Sequence, residues 1–172
     1  MNSSIVLIGM PGSGKSTLGV LLAKELGLDF IDTDVAIQVR EHKTLQEILD
    51  ESDYLNLREI EESVLMEIDV NDKVIATGGS AVYGKHAMQR LSHAGTVLYL
   101  DVSLPVLESR IHNFKTRGIA MQPGQSFESL FAERTDLYRR YADIIIDCNA
   151  GSAEEQIPII ISTIKQEQSK RN

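Results

Sequence analysis

Gly9-Met10-Pro11-Gly12-Ser13-Gly14-Lys15-Ser16 follows a short apolar run, Ser4–Ile8, and precedes a segment with Leu18, Leu21, Leu22 and Leu26 at helical spacing. The octapeptide fits G-x-x-x-x-G-K-[ST], and it does so between a buried strand and a helix, the context that gives the pattern meaning. Its residue types have chemical reasons. Glycines let the backbone turn tightly and aim successive N–H groups at phosphate oxygens. The first turn of the next helix adds free N–H groups and the positive end of its dipole. Lys15 can neutralise β- and γ-phosphates, and Ser16 can offer a hydroxyl to magnesium. The stretch reads as a cradle for the terminal phosphates of a nucleotide.

Outward from that cradle, strands and helices alternate. The first strand ends at Gly9, and the helix over 16–26 stops at Gly27. A second strand begins at Phe30-Ile31 and closes with Asp32-Thr33-Asp34. Short and longer helices are expected over 45–49 and 54–68, a third strand over Lys73–Ala76, a helix over 85–91 and a fourth strand over 96–100. A helix over 104–114 carries Pro105 in its first turn, where proline is tolerated. A glycine-containing loop follows, then a helix over 127–142, a fifth strand over Ile144–Asp147 and a closing helix over 153–168, with a tail over 169–172 expected to fray. Such alternation implies a mostly parallel sheet with helices on both faces. Ligands of these folds bind beyond the carboxyl ends of the strands. Gly9, Asp32, Asp34, Gly78 and Gly79 close strands and should therefore gather on one rim.

The 172 residues fit one domain, 1–172, with 42% hydrophobic and 24% charged residues. A net charge of −8 disfavours a nucleic-acid partner, which needs clustered Lys and Arg. A single cysteine, Cys148, allows no internal disulfide. The opening residues lack the pattern of a signal peptide, and no apolar run approaches the length of a membrane span, so a cytoplasmic protein is expected. The four histidines show no metal-ligand spacing.

Several residues carry candidate chemistry. If Asp32 and Asp34 are both extended, they point to the same side. One carboxylate could then hold magnesium and the other accept a hydrogen bond from an attacking hydroxyl. The competing reading has Asp34 capping the next helix and Asp32 in a turn. Arg58 and Arg134 offer planar forks for a carboxylate, although Arg58 could instead pair with Glu62 one turn on. The loop around Arg117 reads as a lid that brings a cation over the phosphates and excludes water. Thr77-Gly78-Gly79-Ser80 suggests a backbone closely approached by ligand, or a plain turn.

Together these segments resemble the shikimate kinase family, within the nucleoside-monophosphate-kinase-like group. The resemblance rests on GMPGSGKST (9–17), DTD (32–34), Arg58 with Glu61 after it, ATGGS (76–80), VLYL followed by a helix bearing Arg110, the lid Arg117, and LFAERTDLYRRYAD (130–143). It implies a three-layer P-loop kinase fold with a five-stranded parallel sheet in the order 2-3-1-4-5, a lid over 114–126 and substrate-binding helices over 33–62. It implies ATP, gripped by Gly12, Ser13, Gly14, Lys15, Ser16 and Thr17, with Arg110 near the adenine. It implies Mg2+ at Ser16 and Asp32. Asp34 would bind the accepting hydroxyls, while Arg58, Arg134, Gly78, Gly79 and Ser80 would line the site of a small hydroxylated carboxylic acid. Lys15, Asp34 and Arg117 would be catalytic, in a monomer that binds neither nucleic acid nor membrane.

This chain departs from the family pattern at three places. Ser80 stands where a third glycine is usual, the lid reads Arg117-Gly118-Ile119-Ala120-Met121 in place of Arg-Pro-Leu-Leu, and Arg134-Thr135-Asp136-Leu137-Tyr138 lacks the usual proline. All three bear on the acceptor more than on phosphoryl transfer. They leave open a same-fold kinase for another small acid or a sugar acid such as gluconate. A nucleotide-binding regulator is the reading from another class.

Overall fold

The computed structural model describes residues 4–171, so the expected domain and tail reach at residue 172 beyond the described part. A central strand, β1 (Ser4–Ile8), is buried along its whole length, as a continuous apolar run in a doubly covered parallel sheet should be. It leads through the phosphate loop into α1 (Lys15–Leu26), which ends on Gly27 in the left-handed conformation.

The chain then forms β2 (Asp29–Asp32), α2 (Thr33–Glu41), α3 (Leu45–Glu51), α4 (Tyr54–Glu67) and β3 (Lys73–Ala76). It continues through α5 (Lys85–Ala94), β4 (Gly95–Asp101), α6 (Leu104–Arg110), α7 (Phe127–Tyr141), β5 (Ile144–Asp147) and α8 (Ala153–Arg171). The five strands pair in the order β2-β3-β1-β4-β5. All neighbours are parallel, with Val6 opposite Ile75 on one side and Val97 on the other.

Right-handed crossovers fix which helices share a face. The step from β1 to β2 runs one way along the sheet, and the steps from β2 to β3, β3 to β4 and β4 to β5 run the other. They therefore put α1 on one face and α4, α5 and α7 on the opposite face. Packing of α8 against α1 and of α5 against α4 agrees. The main core lies between these layers around Val6, Leu7, Leu22, Val74, Met88, Leu91, Leu98 and Ile160. A second small cluster, Ile37, Ile48, Leu57, Val64 and Ala120, joins α2, α3, α4 and the segment between α6 and α7.

Three expectations need correction. The second strand stops at Asp32, because the Asp32 carboxylate accepts the N–H groups of Asp34 and Val35 and starts α2 at once. Asp34 is therefore helical and not extended, and Asp32, not Asp34, is the cap. The helix expected over 104–114 ends at Arg110, where Ile111 takes an extended ψ of 96°, and a 3-10 turn follows at Phe114–Thr116. The last helix continues beyond residue 168 to Arg171 in place of a frayed tail.

Candidate active site

The phosphate loop stands at the carboxyl end of β1. Gly14 caps α1 with φ 97°, a left-handed conformation that a side chain would strain. Lys15 is buried, and its ammonium donates to the carbonyls of Gly9 at 2.8 Å and Met10 at 2.9 Å. Burial pulls it down to about 8. The Asp34 carboxylate opposes that shift, and the Arg117 and Arg134 guanidiniums add to it.

One cavity of about 300 Å3 collects most of the candidate residues. The loop and α1 contribute Gly12, Gly14, Lys15, Ser16 and Thr17, and α2 contributes Asp34. Gly78, Gly79 and Ser80 come from the segment after β3, Arg110 from α6, Arg117 from the segment between α6 and α7, and Arg134 from α7. Ser13, Asp32 and Arg58 stand outside its wall. A second cavity of about 210 Å3 lies across Gly12 and Gly14, against Arg110, Cys148 and Gln156. There Arg110 donates to the Cys148 carbonyl at 3.0 Å.

Asp32 faces the loop from β2, and its Oδ2 accepts the Ser16 hydroxyl. A hydroxyl beside a carboxylate is a hard oxygen pair that suits Mg2+. Among the described residues no group of three His, Cys, Asp or Glu forms a cation cage. An ion held here would complete its shell from phosphates and water, the usual pattern for this metal.

Two guanidiniums, Arg134 in the cavity wall and Arg58 outside it, are held with donors to spare. Arg134 is 1% exposed and gives one N–H to the Ala120 carbonyl, between α6 and α7, at 2.6 Å. Arg58 packs over the Tyr83 ring at 3.5 Å and the Tyr54 ring at 5.0 Å. Glu62 does not take it, and accepts instead from the His86 backbone at 3.1 Å. Arg58 Nε and Nη2 and Arg134 Nε are buried without a hydrogen-bond partner. Neither guanidinium makes an ion pair among the described residues. Buried cations with idle donors are costly unless an anion joins them.

Asp34 is half-buried, and burial, followed by the nearby Asp32 charge, raises its carboxyl above the ordinary range, against Lys15, Arg117 and Arg134. Glu61 on α4 is 3% exposed, accepts the Ser80 hydroxyl at Oε2 and leaves Oε1 unpartnered. A Cβ on Gly78 would lie 2.2 Å from Glu61 Oε1 and 2.6 Å from Asp34 Oδ1, and one on Gly79 would lie 2.8 Å from Arg134 Nη1. These glycines are needed because the site's own side chains crowd the backbone, a reason distinct from the expected approach of a ligand. Ser80 turns its hydroxyl to Glu61.

The sequence reading gave Glu61 no role and passed over Tyr83. Glu61 lies three residues after Arg58 on one helix, on a shared face, so that spacing could have flagged it. Tyr83 becomes a shelf for Arg58 only through the fold.

The shikimate kinase family model matches residues 11–165. The chain belongs to the shikimate kinase family. It is therefore an ATP-dependent kinase by descent. A shikimate kinase of Trichormus variabilis is 38% identical over 95% of this chain and 93% of its own. The solved shikimate kinase of Acinetobacter baumannii, in complex with shikimate, superposes with a TM-score of 0.87 at 30% identity over 95% of this chain and 93% of that one. The family member from Aquifex aeolicus gives 0.80 at 29% identity, over 96% of this chain and 98% of its own. The matched residues span the altered segments around Ser80, Arg117 and Arg134, so the chain belongs to the family despite them.

Proposed function

We propose that this chain transfers the γ-phosphoryl group of ATP to the 3-hydroxyl of shikimate, giving shikimate 3-phosphate and ADP. The observation that carries the reading is a pair of guanidiniums with buried, idle donors: Arg134 lines the cavity that the phosphate loop also lines, and Arg58, outside its wall, shares the Tyr83 ring with Arg134. A small acid with hydroxyl groups satisfies both ends: its carboxylate takes the forks of Arg58 and Arg134, and its hydroxyls reach Asp34.

In the proposed reaction, backbone amides of residues 12–17 grip the nucleotide phosphates, and Lys15 leaves the Gly9 and Met10 carbonyls for them. Arg110 lies along the base. Gly78 and Gly79 let Asp34 and Arg134 approach the acceptor. Asp34 orients the acceptor hydroxyl and takes its proton as the new oxygen–phosphorus bond forms and the bond to the β-phosphate oxygen breaks. Arg117 moves over the phosphates and steadies the charge that spreads on them. Ser16 and Asp32 would hold Mg2+, which when bound offsets phosphate charge. We infer further a monomer in the cytoplasm, with 114–126 acting as the lid and the helices within 33–62 as the acceptor-binding part. No helix among the described residues is long and apolar enough to cross a membrane.

A coupled ADP-release assay tests the reading. Shikimate should stimulate release far above nucleotide alone, and quinate, gluconate and homoserine should not. Equal stimulation by gluconate, or none by shikimate, would overturn the assignment of the acceptor.

A further inference from the structure

Ser80 ends the short turn after β3 and is 8% exposed. Its hydroxyl donates to Glu61 Oε2, and that bond spans from the turn to α4. The terminal torsion of a glutamate is broad and nearly two-fold, so a carboxyl with both oxygens free has no fixed aim. Here one oxygen is tied and the other, Oε1, is buried without a partner. A Cβ on Gly78 would lie 2.2 Å from that oxygen and 2.6 Å from Asp34 Oδ1, so both oxygens crowd the same side of the Gly78 backbone. Two carboxylate oxygens thus converge where the acceptor must sit.

We infer that Ser80 is a positioning residue for the acceptor: by holding Glu61 Oε2 it fixes Oε1 beside Asp34, where Oε1 receives a second hydroxyl of the acceptor. The inference rests on the proposed function and adds a residue through which this chain sets its affinity for a polyhydroxylated acid. Ser80 itself touches Glu61 and not the reacting atoms.

Protonation follows from the same geometry. Burial, and after it the Asp34 carboxylate from α2, pushes the Glu61 carboxyl up to about 7. The Ser80 donor opposes that rise, as do Arg134 from α7 and Lys15 from α1. Removing the donor lets Glu61 hold its proton to higher pH, and a protonated carboxyl is the weaker acceptor for a hydroxyl.

The test uses Ser80→Ala, Glu61→Gln and the double variant, with shikimate and ATP varied between pH 6 and 9. In Ser80→Ala the KM for shikimate at pH 7 should rise about tenfold, the worth of one hydrogen bond to a charged group. The acid limb of kcat/KM should move to higher pH, and the KM for ATP should stay within about twofold. In the Glu61→Gln background, the further change at Ser80 should alter neither quantity by more than about twofold. Unchanged KM and pH profile in Ser80→Ala, or an undiminished effect in the Glu61→Gln background, overturns the inference. A wild-type chain that ignores shikimate overturns the proposed function instead. Should Ser80→Ala also lose ATP binding, Ser80→Thr carries the test: it keeps the donor, so wild-type KM supports the inference and a raised KM defeats it.

Discussion

Gly78→Ala is the sharpest steric test of the acceptor site. Gly78 is not among the glycines with positive φ, so alanine meets no backbone penalty there. The penalty is contact. The new methyl would lie 2.2 Å from Glu61 Oε1 and 2.6 Å from Asp34 Oδ1, whereas ordinary contact begins at 3.4 Å. The carboxylates must therefore retreat by 3.4 − 2.2 = 1.2 Å and 3.4 − 2.6 = 0.8 Å. A misplacement of about 1 Å at a reacting group costs on the order of 100-fold in rate. Gly78→Ala should thus lose about 100-fold in kcat/KM for shikimate by ADP release, while titration with a fluorescent ATP analogue gives an affinity within about threefold of wild type. A variant with wild-type kcat/KM would refute the claim that Asp34 and Glu61 must stand where the structure has them.

Other perturbations separate the two ends of the site. Arg134→Met should raise the KM for shikimate about 100-fold, from loss of a charge-assisted pair, and leave the KM for ATP nearly unchanged. Shikimate should then no longer raise the melting temperature, a loss that differential scanning fluorimetry reads directly. Lys15→Met should lower kcat by about 100-fold or more in single-turnover experiments and weaken nucleotide binding as well. Glu61 also makes a stability prediction. Its carboxyl stands at about 7 against an ordinary 4.5. Between those values the folded chain keeps a proton that the unfolded chain has released, so stability falls as pH rises through the window. The loss is about 3 kcal/mol at most, and Glu61→Gln should remove it in urea titrations at pH 5 and 8.

Much of this was legible before the fold was seen. The loop over residues 9–16 could be placed because sequence neighbours alone build it: strand, glycine turn, helix. Strand order came from the resemblance and rim position from topology rules, and both brought Asp32, Asp34 and Gly78 to the carboxyl ends of β2 and β3. What the sequence hid was non-local. Whether Asp34 is extended or helical stayed open, because Asp32-Thr33-Asp34 after a strand does not reveal which acid caps the next helix. The end of α6 at Arg110 was hidden because Ile111 and Phe114 continue an apolar spacing, although Ile111 is buried against Gly12 and Phe114 packs edge-on against Phe127. Glu61 stood in view three residues from Arg58. Its meaning depended on Ser80 and Gly78, which reach it only across the interface between α4 and the end of β3.

The most direct measurement of the central claim is phosphorus NMR of wild-type chain and Asp34→Asn with ATP, Mg2+ and shikimate. The account predicts a phosphomonoester signal growing with the wild-type chain in step with ADP, coupled to the proton on carbon 3 of the ring, and none above background with Asp34→Asn. ADP that appears with inorganic phosphate alone, or a monoester formed equally well without the Asp34 carboxylate, would contradict it.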